Sequence, residues 1–378
     1  GARRPLKIAM LATLLGAAGT PVRAEQPAQT TAPAEAVRPD AAPHVAAAPG
    51  QRYEYTQTKM GAPFKLVFYA PDQAAANRAA EAVFGRVDAL NRILSDYDAE
   101  SELSLLSASS PTAEPVKLSD PLWQVLTRSQ ALAEASDGAF DVSVGPLVRL
   151  WRRARRTRQL PDPERLAAAR DAVGHRNIEL DPPGHTARLL KPRMVLDLGG
   201  IAMGYTVDDV LALLAEHGIR RALVDASGDI GLAGAPADKP GWTIGIAPLA
   251  AGAPASRYVV LSGRAITTSG DAFQHVEIDG KRYSHIVDPH TGYGLTDSSS
   301  VTVIADDCIT ADSLATAVSV LGPERGLELI AKTSGAEAFF MRMESGRLAT
   351  YQSPGFERFV AAQAQAAPAG DENTGKGN

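Results

Sequence analysis

The order of its predicted secondary-structure elements constrains the fold of this chain most, because short β-rich runs alternate with helical patterns. Strands are predicted at residues 64–69, 221–225, 242–246, 258–261 and 301–304. Helices are predicted at residues 72–93, 122–136, 204–217 and 311–321, with Thr310 placed to cap the last of them. This mixed order is typical of α+β or α/β proteins. We expect a single large α+β domain, of one or two lobes, with mixed sheets and flanking helices.

The first 24 residues differ in character from the rest of the chain. They combine Arg3, Arg4 and Lys7 with a short uncharged apolar stretch and end at Ala24, a pattern typical of a secretory signal peptide. The Arg3-Arg4 pair favours the twin-arginine type, which exports folded proteins, over the general secretory type. We therefore expect residues 1–24 to be a signal peptide and the protein to be periplasmic.

Composition sets the limits of the folded part and excludes some classes of protein. Residues 25–51 have the Ala- and Pro-rich composition of a linker and residues 361–378 that of a disordered tail, which leaves a domain at 52–360. The single cysteine, Cys308, excludes an internal disulfide framework, and we expect it to be a small buried residue between a strand and a turn. The formal net charge of −5 argues against a generally basic nucleic-acid binder, so no nucleic acid partner is expected.

A strand followed by glycines and a helix is predicted at residues 195–205, with Gly199, Gly200 and Gly204 at the turn. Glycines in such a turn let the backbone approach a phosphate, and the N-terminus of the helix favours negative charge. The spacing is not that of a dinucleotide-binding fingerprint. A tight turn needed only for packing explains the segment equally well.

Polar residues are concentrated in two loop segments, residues 266–271 and 283–292. They bring hydroxyl groups, two aspartates and two histidines onto turns made by glycine and proline, and such loop residues are common components of polar sites. A hairpin with ordinary hydrogen-bonded turns is the alternative.

Asp312 and Thr316 are four residues apart and so share one face of a predicted helix, near its start. A carboxylate and a hydroxyl, with a nearby backbone carbonyl, are hard oxygen donors that suit Mg²⁺ better than zinc. The alternative is an aspartate that favours the helix start and a threonine bonded back to its own helix. The residues alone favour that alternative.

Six arginines surround Trp151 in a short segment that we call the arginine cluster. Its members are Arg149, Arg152, Arg153, Arg155, Arg156 and Arg158. A solvated helix face accounts for such a segment, and an acidic partner, lipid headgroups or a ligand phosphate are the other interpretations. A scaffold that docks on a membrane or on a partner protein is a further function class, and this cluster is its only support.

Seven segments, taken together and in order, resemble the FAD:protein FMN transferases, the ApbE family. They are Met60-Gly-Ala, Leu-Ser-Asp-Tyr-Asp at 94–98 with Ser-Glu-Leu-Ser at 101–104, Asp-Gly-Ala-Phe-Asp-Val-Ser-Val-Gly-Pro at 137–146, Leu-Asp-Leu-Gly-Gly-Ile-Ala-Met-Gly at 196–204, Thr-Ser-Gly-Asp at 268–271, His-Ile-Val-Asp-Pro-His-Thr-Gly at 285–292 and Ala-Asp-Ser-Leu-Ala-Thr at 311–316. The resemblance covers most of the predicted domain. The Arg3-Arg4 start is also similar to the branch associated with maturation of nitrous oxide reductase.

The resemblance implies roles for individual residues. Contacts to FAD are implied for Met60, Tyr97, Ala139, Phe140, Asp141, Asp197 and Ile286. It implies that Mg²⁺ is bound by the backbone carbonyl of Gly200 and the side chains of Asp312 and Thr316, and that His285 is the general base. Met203 occupies the position of the family's FAD-contacting lysine. Residues 225–229, Asp-Ala-Ser-Gly-Asp, also depart from the family's Asn-Gly-Gly-Asp-like segment.

The implied reaction is Mg²⁺-dependent transfer of FMN from FAD to a Thr or Ser hydroxyl of an acceptor protein, with release of AMP. The implied acceptors are periplasmic or membrane redox flavoproteins, such as those of nitrous oxide reduction or another membrane electron-transfer system. The alternative function is a non-catalytic periplasmic module that binds flavin or assists assembly. Met203 in place of lysine favours that alternative.

Overall fold

The computed structural model describes residues 50–249, 254–255, 257–270 and 274–361. The predicted signal peptide, nearly all of the predicted linker and tail, and Asp271 lie outside these residues. The first strand begins at Gln51, one residue before the predicted start of the domain. Within the described residues, no helix has both the length and the apolar character that crossing a membrane requires.

The described part of the chain is built from short strands and seven helices. The strands are β1 (Gln51–Lys59), β2 (Ala62–Ala70), β3 (Val116–Lys117), β4 (Ile178–Asp181), β5 (Thr186–Leu189), β6 (Ala222–Ala226), β7 (Asp229–Ala233), β8 (Trp242–Ile246), β9 (Arg257–Leu261), β10 (Arg264–Gly270), β11 (His275–Ile278), β12 (Lys281–Ser284), β13 (Ser299–Ala305), β14 (Glu337–Glu344) and β15 (Arg347–Gln352). The helices are α1 (Gln73–Leu94), α2 (Glu102–Ala108), α3 (Asp120–Ala135), α4 (Gly145–Thr157), α5 (Pro163–Asp171), α6 (Ala202–Glu216) and α7 (Cys308–Lys332).

One large sheet organises the molecule. Its eight strands follow the order β1-β2-β6-β7-β10-β13-β14-β15. Smaller sheets are formed by β3-β5-β4, by β8-β9 and by β11-β12. The expected α+β class is confirmed. All pairs between these strands are antiparallel. Within the described residues, the only parallel pairing is the isolated bridge between Val144 and Val195. The sheets were expected to mix parallel and antiparallel strands, and in the part of the chain that the structure describes that bridge is the one place where they do.

The main core lies between the large sheet and the helices α1, α6 and α7. The apolar face of α1 is buried there, and the Asp72 carboxylate caps this helix by accepting a 2.7 Å hydrogen bond from the Ala75 N–H. Every residue of β13 is buried. Its residues Val301, Val303 and Ala305 belong to the main core, and Ile304 on the opposite face belongs to a second apolar cluster with Trp242 of β8. The core therefore holds the strands and helices that carry the candidate site in fixed positions.

The start of α7 differs from its prediction. The helix begins at Cys308, and Asp307 caps it by accepting a 3.0 Å hydrogen bond from the Thr310 N–H, so the prediction of Thr310 as the cap is wrong. Cys308 is buried as predicted, but it stands in the first helical turn rather than in a loop. The predicted end near residue 321 is a real break, because Gly322 has a φ of 77° and Pro323 starts a second helical segment.

A smaller apolar cluster joins α4 and α5 to the β11-β12 hairpin. Leu147, Trp151 and Ala154 recur at helical spacing on α4 and are buried against Val276 and Tyr283. The N-terminus of α4 is fixed by close packing, since a Cβ on Gly145 would lie 2.5 Å from the carbonyl oxygen of Val195. This cluster sets the position of the helix that carries most of the arginine cluster.

Candidate functional site

The crossing of α6 and α7 brings two of the sequence-predicted segments together. A Cβ at Gly204 would lie 2.4 Å from the carbonyl oxygen of Cys308 and 2.8 Å from the Cβ of Asp312, so only glycine permits this approach. The Gly204 N–H donates a 3.0 Å hydrogen bond to Oδ2 of Asp312. Asp312 is therefore oriented by the neighbouring helix. Asp312 thus contacts α6 as well as standing near the start of its own helix.

Gly200 and Thr316 also lie together at this crossing. A Cβ on Gly200 would stand 2.7 Å from Oγ1 of Thr316, so the hydroxyl lies against the backbone of the glycine turn. Thr316 is half-buried and Asp312 is 6% exposed. The carbonyl of Gly200, the carboxylate of Asp312 and the hydroxyl of Thr316 thus belong to two segments that pack directly on each other.

Burial favours the neutral form of the carboxyl groups in this region. It raises the pKa of Asp312 well above the usual range, and the neighbouring Asp229 carboxyl raises that pKa further. The pKa of Asp229 is itself raised by burial to about 7, against a lowering hydrogen bond from Thr267. Asp208 accepts hydrogen bonds of 2.8 Å from the N–H groups of Cys308 and Ile309, yet burial still raises its pKa to about 6. A cation bound at Asp312 would offset the cost of burying the charge of its carboxylate.

The donor chemistry at the crossing fits Mg²⁺. No group of three or more His, Cys, Asp or Glu side chains in the described part of the chain is arranged to hold a metal ion. A metal held here would depend on one or two carboxylates with neutral oxygen atoms, which is how Mg²⁺ is bound when substrate phosphates and water complete its shell. Asp312, Thr316 and the carbonyl of Gly200 are the residues that would hold it.

Asp197 lies in the glycine turn on the side facing α4. Its Oδ1 accepts a 2.9 Å hydrogen bond from the Gly199 N–H, and its Oδ2 pairs with Arg152 at 2.9 Å. Burial raises the pKa of Asp197 to about 6, Asp96 raises that pKa further and Arg152 lowers it. The backbone of Asp197 bonds to the carbonyl of Val142 at 2.8 Å, which places this turn beside the 139–141 segment.

The 139–141 segment lies under the surface. Ala139, Phe140 and Asp141 are 2%, 4% and 6% exposed. The Asp141 carboxylate accepts bonds from the N–H and hydroxyl of Ser143 and from the His175 N–H, at 2.6–2.8 Å. Through these bonds the carboxylate of Asp141 holds the 139–141 segment to Ser143 and His175.

Tyr97 and Met60 offer surface for a flat ligand. Tyr97 is 78% exposed, and one face of its ring stacks on the Arg152 guanidinium at 4.2 Å from the centroid. Met60 occupies a two-residue hairpin turn with a φ of 50°, which is rare for a residue with a side chain. The hydroxyl of Thr206 on α6 lies 3.6 Å from its sulfur. Met203, in the first turn of α6, packs against the main core.

His285 and Ile286 follow β12 in a loop held at several points. Nδ1 of His285 lies 3.1 Å from the carbonyl oxygen of Gln274. Because a carbonyl only accepts, Nδ1 is the donor in this contact, which orients the imidazole ring. Trp151 Nε1 anchors the same loop by donating a 2.8 Å hydrogen bond to the carbonyl of Gly292. The described hydrogen bonds link His285 to Gln274 rather than to Asp312 or Thr316.

The structure thus joins the predicted residues in groups. Gly200, Asp312 and Thr316 meet at the α6–α7 crossing, whereas Tyr97 and Asp197 meet through Arg152. Arg152 was named in advance only as one of the arginine cluster, Asp229 only within residues 225–229, and Asp208 not at all. No local signal separates Arg152 from its five neighbouring arginines, and the acidic residues become neighbours of Asp312 only through packing.

Comparison with known proteins identifies the family of this chain. Residues 60–340 match the ApbE family. The FAD:protein FMN transferase of Klebsiella pneumoniae (strain 342) is 32% identical over 291 residues, covering 76% of this chain and 89% of the relative. That of Haemophilus influenzae is 33% identical over 278 residues, covering 72% of this chain and 80% of the relative.

Two solved structures are similar across nearly their whole length. The flavin transferase ApbE from Vibrio cholerae superimposes with a TM-score of 0.75 at 31% identity, covering 82% of this chain and 100% of that one. The apo form of the Pseudomonas stutzeri flavinyl transferase ApbE gives a TM-score of 0.74 at 30% identity, covering 84% and 99%. Because family, sequence and structural similarity all span most of the molecule, this chain belongs to the ApbE family.

Proposed function

We propose that this flavin transferase moves FMN from FAD to a Thr or Ser hydroxyl of an acceptor protein and releases AMP, with Mg²⁺ as its metal. The observation that carries the metal-dependent part is the meeting of Gly200, Asp312 and Thr316 at the α6–α7 crossing. Mg²⁺ held there would neutralise the charge of the pyrophosphate and polarise its phosphorus.

The transfer balances as a substitution at phosphorus. The acceptor hydroxyl oxygen bonds to the FMN-side phosphorus, and the bond from that phosphorus to the bridging oxygen breaks. The bridging oxygen leaves with AMP. His285 takes the hydroxyl proton, with its ring oriented by the contact of Nδ1 with the carbonyl of Gln274.

The rest of the candidate site would bind FAD. Tyr97 offers an open aromatic surface for a flat ring. The glycine turn would let the backbone at the start of α6 come close to a phosphate, while its Gly199 N–H stays bonded to Asp197. Asp141 supports the neighbouring loop, so that Ala139 and Phe140 contact the ligand by their backbone and buried apolar surface. Ile286 follows His285 directly in the same loop, where it would contact the ligand.

The proposed setting is the periplasm, reached by the twin-arginine route that the Arg3-Arg4 pair favours. The proposed acceptors are exported or membrane redox flavoproteins that carry a target Thr or Ser, including those of nitrous oxide reduction. An acceptor in that compartment would meet the transferase after both have been exported.

An acceptor-dependent release of AMP tests the proposal. Purified protein is incubated with FAD and Mg²⁺, with and without a candidate acceptor, and AMP is measured by chromatography. The proposal expects AMP to form in proportion to acceptor and to stop when a chelator is added. A protein that binds FAD but forms no AMP with any acceptor would be the flavin-binding module that Met203 favours.

A further inference from the structure

The arginine cluster is divided between solvent and the candidate site. Arg149, Arg153, Arg156 and Arg158 are exposed, as a solvated helix face requires, and Arg155 is half-buried. Arg152 has a side chain only 20% exposed and points toward the glycine turn. It follows Trp151, whose indole is buried and bonded to Gly292, so its place on α4 is fixed by the core beneath it.

Arg152 connects three residues from two separate segments. One guanidinium nitrogen pairs with Asp96, and the other pairs with Oδ2 of Asp197 at 2.9 Å. The plane of the guanidinium also lies against the Tyr97 ring at 4.2 Å. Asp96 and Asp197 are themselves largely buried, with side chains 12% and 9% exposed. Contacts of this kind orient both the aromatic surface and the carboxylate.

We propose that Arg152 is a positioning residue for FAD: it holds Tyr97 and Asp197 in their binding orientation and offsets the two carboxylates that FAD must approach. This inference rests on the proposed function. FAD brings a doubly charged pyrophosphate, and Asp96 and Asp197 would repel it if they were unpaired. Met203 adds no charge near the glycine turn, so the neutralising cation comes from α4.

The shape of the guanidinium is essential to this role. Arginine reaches two carboxylates with a planar fork and lies flat on an aromatic ring, whereas the lysine ammonium is a compact charge without a plane. Lysine at position 152 would retain the charge but would not hold Asp96, Asp197 and Tyr97 at once. The charge and the orientation can therefore be separated by substitution.

The experiment compares FAD binding by the wild type and the variants Arg152→Gln, Arg152→Lys and Arg153→Gln. The dissociation constant is measured by flavin fluorescence without acceptor, and KM for FAD and kcat are then measured with acceptor. A thermal melt of each variant reports folding. Arg153→Gln is the matched control, because Arg153 is an exposed neighbour on the same helix.

We expect Arg152→Gln to weaken FAD binding at least about tenfold, the loss typical of one charge-assisted contact, and to raise KM for FAD in parallel. Because the residue does not touch the reacting atoms, kcat at saturating FAD should stay close to that of the wild type. Arg152→Lys should bind FAD with intermediate affinity, and Arg153→Gln should match the wild type.

Wild-type FAD affinity in folded Arg152→Gln, or a loss confined to kcat, would overturn the proposal. If Arg152→Gln does not fold, Arg152→Lys decides: wild-type affinity in that variant would equally overturn the orienting role. If the wild type transfers FMN and the Arg152 variants bind FAD as tightly as it does, only the role of Arg152 is refuted. A wild type that does not bind FAD would refute the proposed function as well.

Discussion

Asp312 is the residue on which the metal assignment depends, because it supplies the charged oxygen at the α6–α7 crossing. We expect Asp312→Ala to lose transferase activity by roughly 100-fold or more, since a catalytic metal contributes several kcal/mol. The free energy of unfolding should change by only about 2 kcal/mol or less, because the variant loses the hydrogen bond from Gly204 but also a buried carboxyl. FMN transfer at increasing Mg²⁺, measured beside a thermal melt, checks both effects.

Thr316→Ala is the milder companion to that variant. A neutral hydroxyl ligand can be replaced by water, so we expect a smaller loss of activity that is partly recovered at high Mg²⁺. Full activity in a well-folded Asp312→Ala protein would contradict the metal assignment. Equal losses in the two variants would show that the carboxylate has no special part in it.

A substitution at Met203 tests how the absence of the family's lysine affects FAD affinity. We expect Met203→Lys to bind FAD about fivefold tighter or more, since an added cation near the pyrophosphate contributes a charge-assisted contact. Met203 is only partly buried, so the lysine stem can remain against the core while its ammonium reaches solvent. An isothermal titration with FAD measures the change. Unchanged affinity would show that the charge already offered by Arg152 is sufficient.

At the scale of elements, the close crossing of α6 and α7 is what places the proposed metal ligands together. Gly204→Ala should separate the helices, because its Cβ would overlap the carbonyl of Cys308 and the Cβ of Asp312. Such overpacking costs about 1–3 kcal/mol of stability, and Mg²⁺-dependent activity should fall with it. Chemical denaturation and a transfer assay measure these two losses.

Gly85→Ala is the matched control for that helix variant. Gly85 lies within α1, and nothing lies within 4 Å of where its Cβ would stand. The alanine should therefore stabilise the protein by about 0.5–1 kcal/mol through helix propensity alone, with unchanged activity. A Gly204→Ala protein as stable as the wild type would show that the crossing tolerates a wider separation.

The elements also show what local sequence can and cannot predict. The apolar spacing of α1 and the four-residue separation of Asp312 and Thr316 are local properties, and both were predicted. The cap of α7 was assigned to Thr310 because the strand before it was expected to be followed by a turn. Asp307, with its stronger acceptor, starts the helix one turn earlier. Arg152 was hidden among similar residues because its partners, Asp96 and Asp197, are distant in sequence.

At the scale of the whole molecule, the buried carboxylates make stability depend on pH. Burial raises the pKa of Asp208 to about 6 and that of Asp229 to about 7, above the usual value near 4 in an unfolded chain. Their favourable contribution is complete below the unfolded pKa and is lost as pH rises through the folded pKa. The metal-free protein should therefore melt at a lower temperature at pH 8 than at pH 5.

Mg²⁺ should oppose that loss, because it binds the ionised carboxylate of Asp312. The increase in melting temperature on adding Mg²⁺ should be larger at pH 8 than at pH 5, and Asp312→Ala should abolish it. Thermal melts across this pH range, with Mg²⁺ or with a chelator, measure both trends. A metal-free protein that becomes more stable as pH rises would contradict the assigned direction of these pKa values.

The intact mass of an acceptor protein after incubation with this chain, FAD and Mg²⁺ tests the central claim most directly. The account predicts that the acceptor gains the mass of one FMN less one water, that the gain disappears when its target Thr or Ser is replaced by Ala, and that AMP appears in equal amount. An acceptor of unchanged mass, while FAD is bound or is split to free FMN and AMP, would contradict it.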